Sequence, residues 1–378
     1  MSMTDWFLNN SLTLGLALLL TGIIIPQILV IAFKKKLFDS HDSRKIHEGT
    51  VPRLGGIAFV PAIIFSVLCV AGMQVNCGNF EMLTEVIDKL VPLFMLLCSM
   101  MLLFLVGIAD DLIGVRYSSK FVFQIISAVL IIVGGVWVKD FDGLIWMHEV
   151  PEWLGWCFTV FLVVYIVNSI NLIDGIDGLA AGLAEVALFF YGAVYFFAGY
   201  NIYSMVAWAA FGTLIPFLYF NIFGNVWRRK KIFMGDTGSL TIGMLIAFLA
   251  IALTYAKPDE AAFGNVNPMV MAFSPLIIPL LDVIRVFLHR IMRKKNPFMP
   301  DRSHIHHKLL AMGLTPRVAL AVILVVDVAF LAANVVLSAY VDINWLVIGD
   351  AVVWIIVNVL ISRRIQKREA RLGQKLWS

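Results

Sequence analysis

Five separated segments of this chain carry side chains able to hold a phosphate, a sugar or a divalent cation. The shortest is Asp110-Asp111, set between Gly107 and Gly114. Neighbours on a helix point about 100° apart, so one carboxylate can face a reaction centre while the other orients a partner. Two such charges raise the proton affinity of one member unless a cation is present. The plain alternative is a solvated pair at a loop. In the second segment Asn168, Asn171, Asp174 and Asp177 recur every third residue, with Gly175 and Gly178 beside the aspartates. On an unbroken α-helix that stripe would rotate by about 180° along its length, so a break is expected near Gly175. The amides and carboxylates match the donors and acceptors of a sugar or base, and the glycines let backbone approach a ligand. A glycine turn with capping aspartates is the simpler reading.

The third segment, Phe233-Met-Gly-Asp236-Thr-Gly-Ser239, follows the basic run Arg228 to Lys231 and precedes an apolar stretch. A helix starting there would offer free amide donors and its dipole to a phosphate, while Asp236 could hold Mg²⁺ and Phe233 could stack on a base. Otherwise Asp236 is an N-cap and Phe233 a lipid contact. Asp282 and Arg285 share a helical face, which mutual neutralisation explains. After them comes Asp301-Arg302-x-His304-Ile-His306-His307-Lys308. Zinc is one reading of these imidazoles. Phosphate handling ranks above it, because the segment is cation-rich and has neither C-x-x-C nor H-E-x-x-H spacing.

The elements that position these residues must be membrane helices. The 378 residues are 61% hydrophobic, with a mean hydropathy of +0.90, beyond what a soluble core needs. Eleven apolar runs reach a membrane-spanning length, from Phe7 to Phe33 at one end to Trp345 to Ile361 at the other; the fourth covers Phe121 to Val138. Lys and Arg alternate cleanly between the connections. Lys34 to Arg53, Arg116 and Lys120, Arg228 to Lys231, Arg293 to Lys308 and the tail after Arg363 are basic, whereas the intervening connections hold single lysines among acids. The expectation is an all-α polytopic membrane protein with its N-terminus outside, its C-terminus cytoplasmic and its ionisable residues gathered at the cytoplasmic helix ends. The net charge of +4 reflects this loop asymmetry. Because the basic residues are split among membrane loops, a nucleic-acid surface is a poor reading. The first run is too long for a signal peptide, and the four cysteines form no C-x-x-C pair. A single integral-membrane catalytic domain over 1–378, ending in a basic tail at 363–378, is expected.

Taken together, the segments from Arg44 to Lys308 resemble the polyprenyl-phosphate N-acetylhexosamine-1-phosphate transferase family. Arg44-Lys-Ile-His47 through Pro52-Arg-Leu-Gly-Gly56 is similar to that family's first cytoplasmic loop, Asp110-Asp111 to its paired aspartates, and Asn171 to Gly178 to its nucleotide-sugar segment. Phe233 to Ser239 and the histidine segment complete the likeness. The resemblance implies transfer of a sugar 1-phosphate from a UDP-sugar to a polyprenyl phosphate, with release of UMP and a need for Mg²⁺, which Mn²⁺ can replace. It assigns Asp236, with Asp111, to the metal; Asp110, Asp111, Asp236, His304, His306 and His307 to catalysis; and Lys45, His47, Asn171, Asp174, Asp177, Phe233 and Arg285 to substrates. It further implies an inner-membrane enzyme facing the cytoplasm, a homodimer, and a place at the start of cell-surface glycan assembly such as O-antigen or wall polymer.

Ile305 interrupts the histidine run, which resembles the branch using UDP-N-acetylglucosamine and undecaprenyl phosphate rather than the phospho-N-acetylmuramoyl-pentapeptide branch, where three histidines are consecutive. An ion-coupled transporter is the rival from another class, since intramembrane acids also mark transport pathways. Its site should lie at the midplane between repeats, whereas the acids here fall at helix ends and no repeat is visible. An intramembrane metalloprotease lacks its H-E-x-x-H motif.

Overall fold

A computed structural model of the chain describes residues 1–37, 50–256, 265–294, 296 and 303–373. Lys45 and His47 lie outside the described residues. Among those described, the chain is helical, and an isolated bridge between Asp140 and Glu149 is the sole β pairing. Ten helical segments are long and apolar enough to cross a membrane. They are α1 (Met3–Lys35), α2 (Phe59–Asn76) with the 3-10 turn before it, α4 (Leu90–Ile113), α6 (Glu152–Ile173), α7 (Leu179–Phe197), α8 (Asn201–Ile222), α9 (Gly235–Ala256), the broken pair α10 (Pro268–Phe273) and α11 (Ile277–Met292), α13 (Pro316–Leu337) and α14 (Ile343–Leu372). The fourth expected span, α5 (Tyr117–Val133), is a shorter apolar helix of 17 residues. At 1.5 Å per residue it covers about 26 Å, the lower limit for crossing the hydrocarbon. Two short helices complete the set, α3 (Phe80–Asp88) and α12 (Ile305–Met312).

Local sequence sets the helix ends. At α1, Ser2 and Asp5 form a reciprocal capping box, and Lys34 and Lys35 occupy the last turn, where cations complement the helix dipole. A glycine at φ +74°, Gly114, ends α4. The expected break near Gly175 is present, with α6 stopping at Ile173 and α7 starting at Leu179.

Helix α9 is the hub: α4, α6, α7 and α10 pack around it, and its apolar window is wholly buried by protein. A helix that is hydrophobic all round can be sheathed in this way. Its first turn is clamped most tightly. A Cβ on Gly107 of α4 would lie 2.4 Å from Thr237 Cα, so only glycine permits this approach. The segment before α2 holds the other side, where Gly55 and Gly56 donate backbone hydrogen bonds to Phe233 and Met234 (3.0 and 2.9 Å) and Phe233 donates to Pro52 (2.9 Å).

Polar contacts divide between the two ends of the bundle. One end joins the terminus of α4 to the starts of α5 and α9, the α6–α7 turn to the terminus of α8, and α11 to α12. The other carries structural pairs such as Asn344 with Gly143 and Asn267 with Asp142.

Candidate active site

At the first end lies an open cavity of about 320 Å³. Asn171 and Asp174 reach it from the end of α6, Asp177 from the turn, Phe233 and Asp236 from the start of α9, and His307 from α12. Five of the segments singled out in the sequence meet at this end, although they do not all face the cavity.

The paired aspartates diverge as their helical spacing requires. Asp111 turns to α9, accepting from the Asp236 amide (2.8 Å) through one oxygen and from the Thr237 amide (3.0 Å) and hydroxyl (2.6 Å) through the other. This overturns one expectation. The first amides of α9 are not free for a phosphate, because a carboxylate from α4 already takes them. Asp111 is not among the residues that line the cavity. The physical reason is that a helix start packed inside a bundle has orphan N–H groups and a positive dipole end, and no water to satisfy them. Asp110 accepts from the Val115 amide (2.6 Å) and from Lys120 Nζ (2.7 Å). Lys120 also stands 3.5 Å from Asp236 Oδ1, linking the two acids.

Asp236 is held from the cavity side by Asn171, whose amide donates to it at 2.6 Å and to Ser239 Oγ at 2.8 Å. Asp177 pairs with Lys231, the last of four consecutive cations. The turn is anchored by Asn221 of α8, which accepts from the Gly178 amide (2.6 Å) and donates to the Ile232 carbonyl (2.8 Å). Water reaches Asp174 through the cavity mouth, yet protein crowds it on its other sides. That crowding pushes its carboxyl up to about 7, and the negative charges of Asp236 and Asp177 act in the same direction, against Arg53. The direction follows from low local dielectric and like charge together.

The histidines sit on helix α12 and its N-cap rather than in a loop. Asp282 of α11 organises them: it accepts from Arg285 Nη2 (2.8 Å), from His304 Nδ1 (2.8 Å) and from the Ile305 amide (3.1 Å). Arg285 also donates to the Ser303 carbonyl (2.5 Å). His304 and Arg285 therefore support the wall without lining it. His306 is buried, its ring stacked parallel to that of His304 and pressed on the Gly175 backbone. Burial lowers its imidazole to about 3, with His307 and His304 adding to the effect. Burial similarly lowers Lys308 to about 8, and its ammonium donates to Asn358 (3.0 Å). Of the imidazoles, His307 faces the cavity.

Sequence reasoning left Arg53, Lys120, Asn221, Lys231 and Ser239 outside the candidate set. Asn221 carried a usable signal, a carboxamide in the last turn of an apolar helix. Arg53 lay in a motif noted as a whole, but nothing in its spacing set it apart.

Among the described residues no three His, Cys, Asp or Glu side chains are arranged to hold a metal by themselves. Such a grouping is not what Mg²⁺ requires. It takes hard oxygen donors, one or two carboxylates completed by water and phosphate. Asp236 and Asp174 on one water-accessible wall, with like charges acting on each other, fit that donor set.

The model for glycosyl transferase family 4 matches residues 93–254. A Bacillus subtilis (strain 168) protein named "Probable undecaprenyl-phosphate N-acetylglucosaminyl 1-phosphate transferase" is 30% identical over 325 residues, 85% of this chain and 83% of the relative. A Salmonella typhi undecaprenyl-phosphate alpha-N-acetylglucosaminyl 1-phosphate transferase is 30% identical over 324 residues, 85% of this chain and 82% of its own. The Escherichia coli (strain K12) protein of the same name is 29% identical over 314 residues, 82% and 78% of the two chains. The chain belongs to the polyprenyl-phosphate N-acetylhexosamine-1-phosphate transferase family. It is a multi-pass membrane enzyme of the glycosyl-1-phosphate transferase class.

Proposed function

We propose that this enzyme transfers N-acetylglucosamine 1-phosphate from UDP-N-acetylglucosamine to undecaprenyl phosphate, releasing UMP and forming the lipid-linked diphosphate sugar that begins a cell-surface glycan. The relatives' names support the donor and the acceptor. The observation that carries the reading is the convergence of Asn171, Asp174, Asp177, Asp236, Phe233 and His307 on one open cavity at a helix-end face of the bundle. The concentration of Lys and Arg in the connections at this end supports a cytoplasmic face, where UDP-sugars are made, for an enzyme of the inner membrane.

The reaction brings two polyanions together, so the site must offset their repulsion. Arg53 and His307 line the cavity and are placed to meet phosphate oxygens. Asn171, Asp177 and Phe233 offer hydrogen bonds and a ring face to the sugar and base. Asp236, with Asp174 beside it, would hold Mg²⁺, or Mn²⁺ in its place. When bound, such an ion neutralises diphosphate charge and stabilises the departing UMP. Asp111 positions Asp236 by fixing the start of α9. Asp110 acts through Lys120, which it holds 3.5 Å from Asp236. No general base is required, because a phosphate monoester with a second pKa near 6 is mostly ionised at neutral pH.

The test is UMP release by purified enzyme. It should require UDP-N-acetylglucosamine, undecaprenyl phosphate and Mg²⁺ together, and stop on chelation. UMP release without the lipid acceptor, or a preference for UDP-N-acetylmuramoyl-pentapeptide, would overturn the assignment.

A further inference from the structure

A second cleft opens on the same end of the bundle, outside the cavity just described, and among the described residues the two share no lining residue. It measures about 630 Å³ and lies between the end of α1 and the end of α8 with the turn that follows. Its floor is apolar: Pro26, Leu29, Val30 and Phe33 of α1 face Phe220 of α8. Its rim is cationic, with Lys34 on one side and Arg228, Arg229 and Lys230 on the other, and among the described residues no carboxylate lines it.

The cations are presented by an ordered turn. Asn225 accepts from the Arg228 amide through its side chain and from the Lys230 amide through its carbonyl, both at 3.0 Å. Arg229 adopts a left-handed backbone, φ +54°, which puts its guanidinium 5.3 Å from the centre of the Phe33 ring. Flanking side chains mark this rim as lying at membrane-surface depth, for Trp227 is 83% exposed and Phe223 63%. Large aromatic rings beside Lys and Arg are the usual furniture of the bilayer interface. An apolar floor running down the helices beneath a ring of four cations is complementary to one chemistry, an anionic headgroup attached to acyl chains.

We propose that this cleft binds an anionic glycerophospholipid, with its phosphate among Lys34, Arg228, Arg229 and Lys230 and an acyl chain along Leu29, Phe33 and Phe220. The lipid is proposed as a component distinct from the acceptor, because the described lining of this cleft includes none of the residues around the catalytic acids. The site also explains the division of labour in the basic run: three cations face the cleft, while Lys231 turns inward to Asp177.

The test uses the full-length protein in detergent, titrated with phosphatidylglycerol or phosphatidylcholine and read by native mass spectrometry. Wild-type protein should retain one phosphatidylglycerol in preference to phosphatidylcholine. Each cation near a headgroup surface contributes about fivefold, so R228Q/R229Q/K230Q should weaken phosphatidylglycerol roughly a hundredfold and leave phosphatidylcholine unchanged. R228Q alone, with an expected loss of about fivefold, serves if the triple variant does not fold. The control R363Q/R364Q removes exposed cations from α14 and should bind as wild type does. Four results would overturn the proposal: no retained phosphatidylglycerol, equal binding by the triple variant, equal loss in the α14 control, or displacement by inorganic phosphate at the lipid's own concentration.

Discussion

Two groups of acids at the same end of the bundle do opposite things. Asp282 is fully buried, and both its oxygens are engaged by Arg285, His304 and the Ile305 amide. Charge and hydrogen bonding close on themselves there, and the product is a fixed position for α12. The cluster of Asp110, Asp174, Asp177 and Asp236 is left open. Among the described residues Lys120, Lys231 and Arg53 answer part of its charge, and Asp174 and Asp236 face the cavity. A closed network stabilises a shape, whereas an open one of a single sign retains affinity for a cation or for hydrogen-bond donors on a substrate. The residue type is identical in both; what differs is whether the protein itself supplies the partner.

Substitutions that remove charge without changing shape test this contrast. Asp236→Asn should lower turnover about a thousandfold, with thermal stability equal to or above wild type because a like-charge repulsion is relieved. Asp282→Asn should do the reverse in order of cause. It leaves Arg285, which is largely but not fully buried, without its counter-charge, a loss of up to about 3 kcal/mol of stability, visible as a lower melting temperature before any kinetic measurement. If Asp236→Asn unfolds the protein or Asp282→Asn melts like wild type, the distinction between the two regions fails.

How far the sequence carried the architecture follows from which forces are local. Apolar run lengths placed every helix that crosses the bundle, since lipid imposes them on the chain directly. The break at Gly175 followed from the period of the asparagine and aspartate stripe. Asp111 was legible as a residue of interest but not as the cap of α9, because its partner lies 125 residues away and neither segment carries a mark of the other. The amides of Asp236 and Thr237 seemed free for phosphate for the same reason. The histidine segment was read as part of a connection because its imidazoles and Lys308 fill the first half of an eight-residue helix, too short for its apolar residues to show a period. Arg53 reaches the cavity through backbone pairing between Pro52 and Phe233, a tertiary contact without a periodic signature.

The joint between the two regions is His306 on Gly175, where the closed network presses on the turn that carries Asp174 and Asp177. A methyl group at position 175 would meet His306 Nε2 at 2.0 Å, and the ring is packed too closely to yield. Gly175→Ala should therefore displace α12 or the turn and lower activity tenfold to about a hundredfold, the scale expected for misplacement by about 1 Å. Wild-type kinetics in this variant would mean that the contact transmits nothing to the site.

The effect that is smallest near neutral pH concerns the same ring. Burial lowers the His306 imidazole to about 3, from an ordinary value near 6.5. Between those two pH values the unfolded chain binds a proton that the folded chain refuses, so stability rises with pH across this window and is complete above about 6.5. On acidification from pH 6.5 the fold should lose up to about 1.4 kcal/mol per pH unit from this residue. His306→Gln should remove that increment from the pH dependence of unfolding in detergent, while leaving the rest of the acid limb in place. An unchanged slope in the variant would show that the imidazole takes up its proton in the folded state, and that α12 admits a charge beside Gly175.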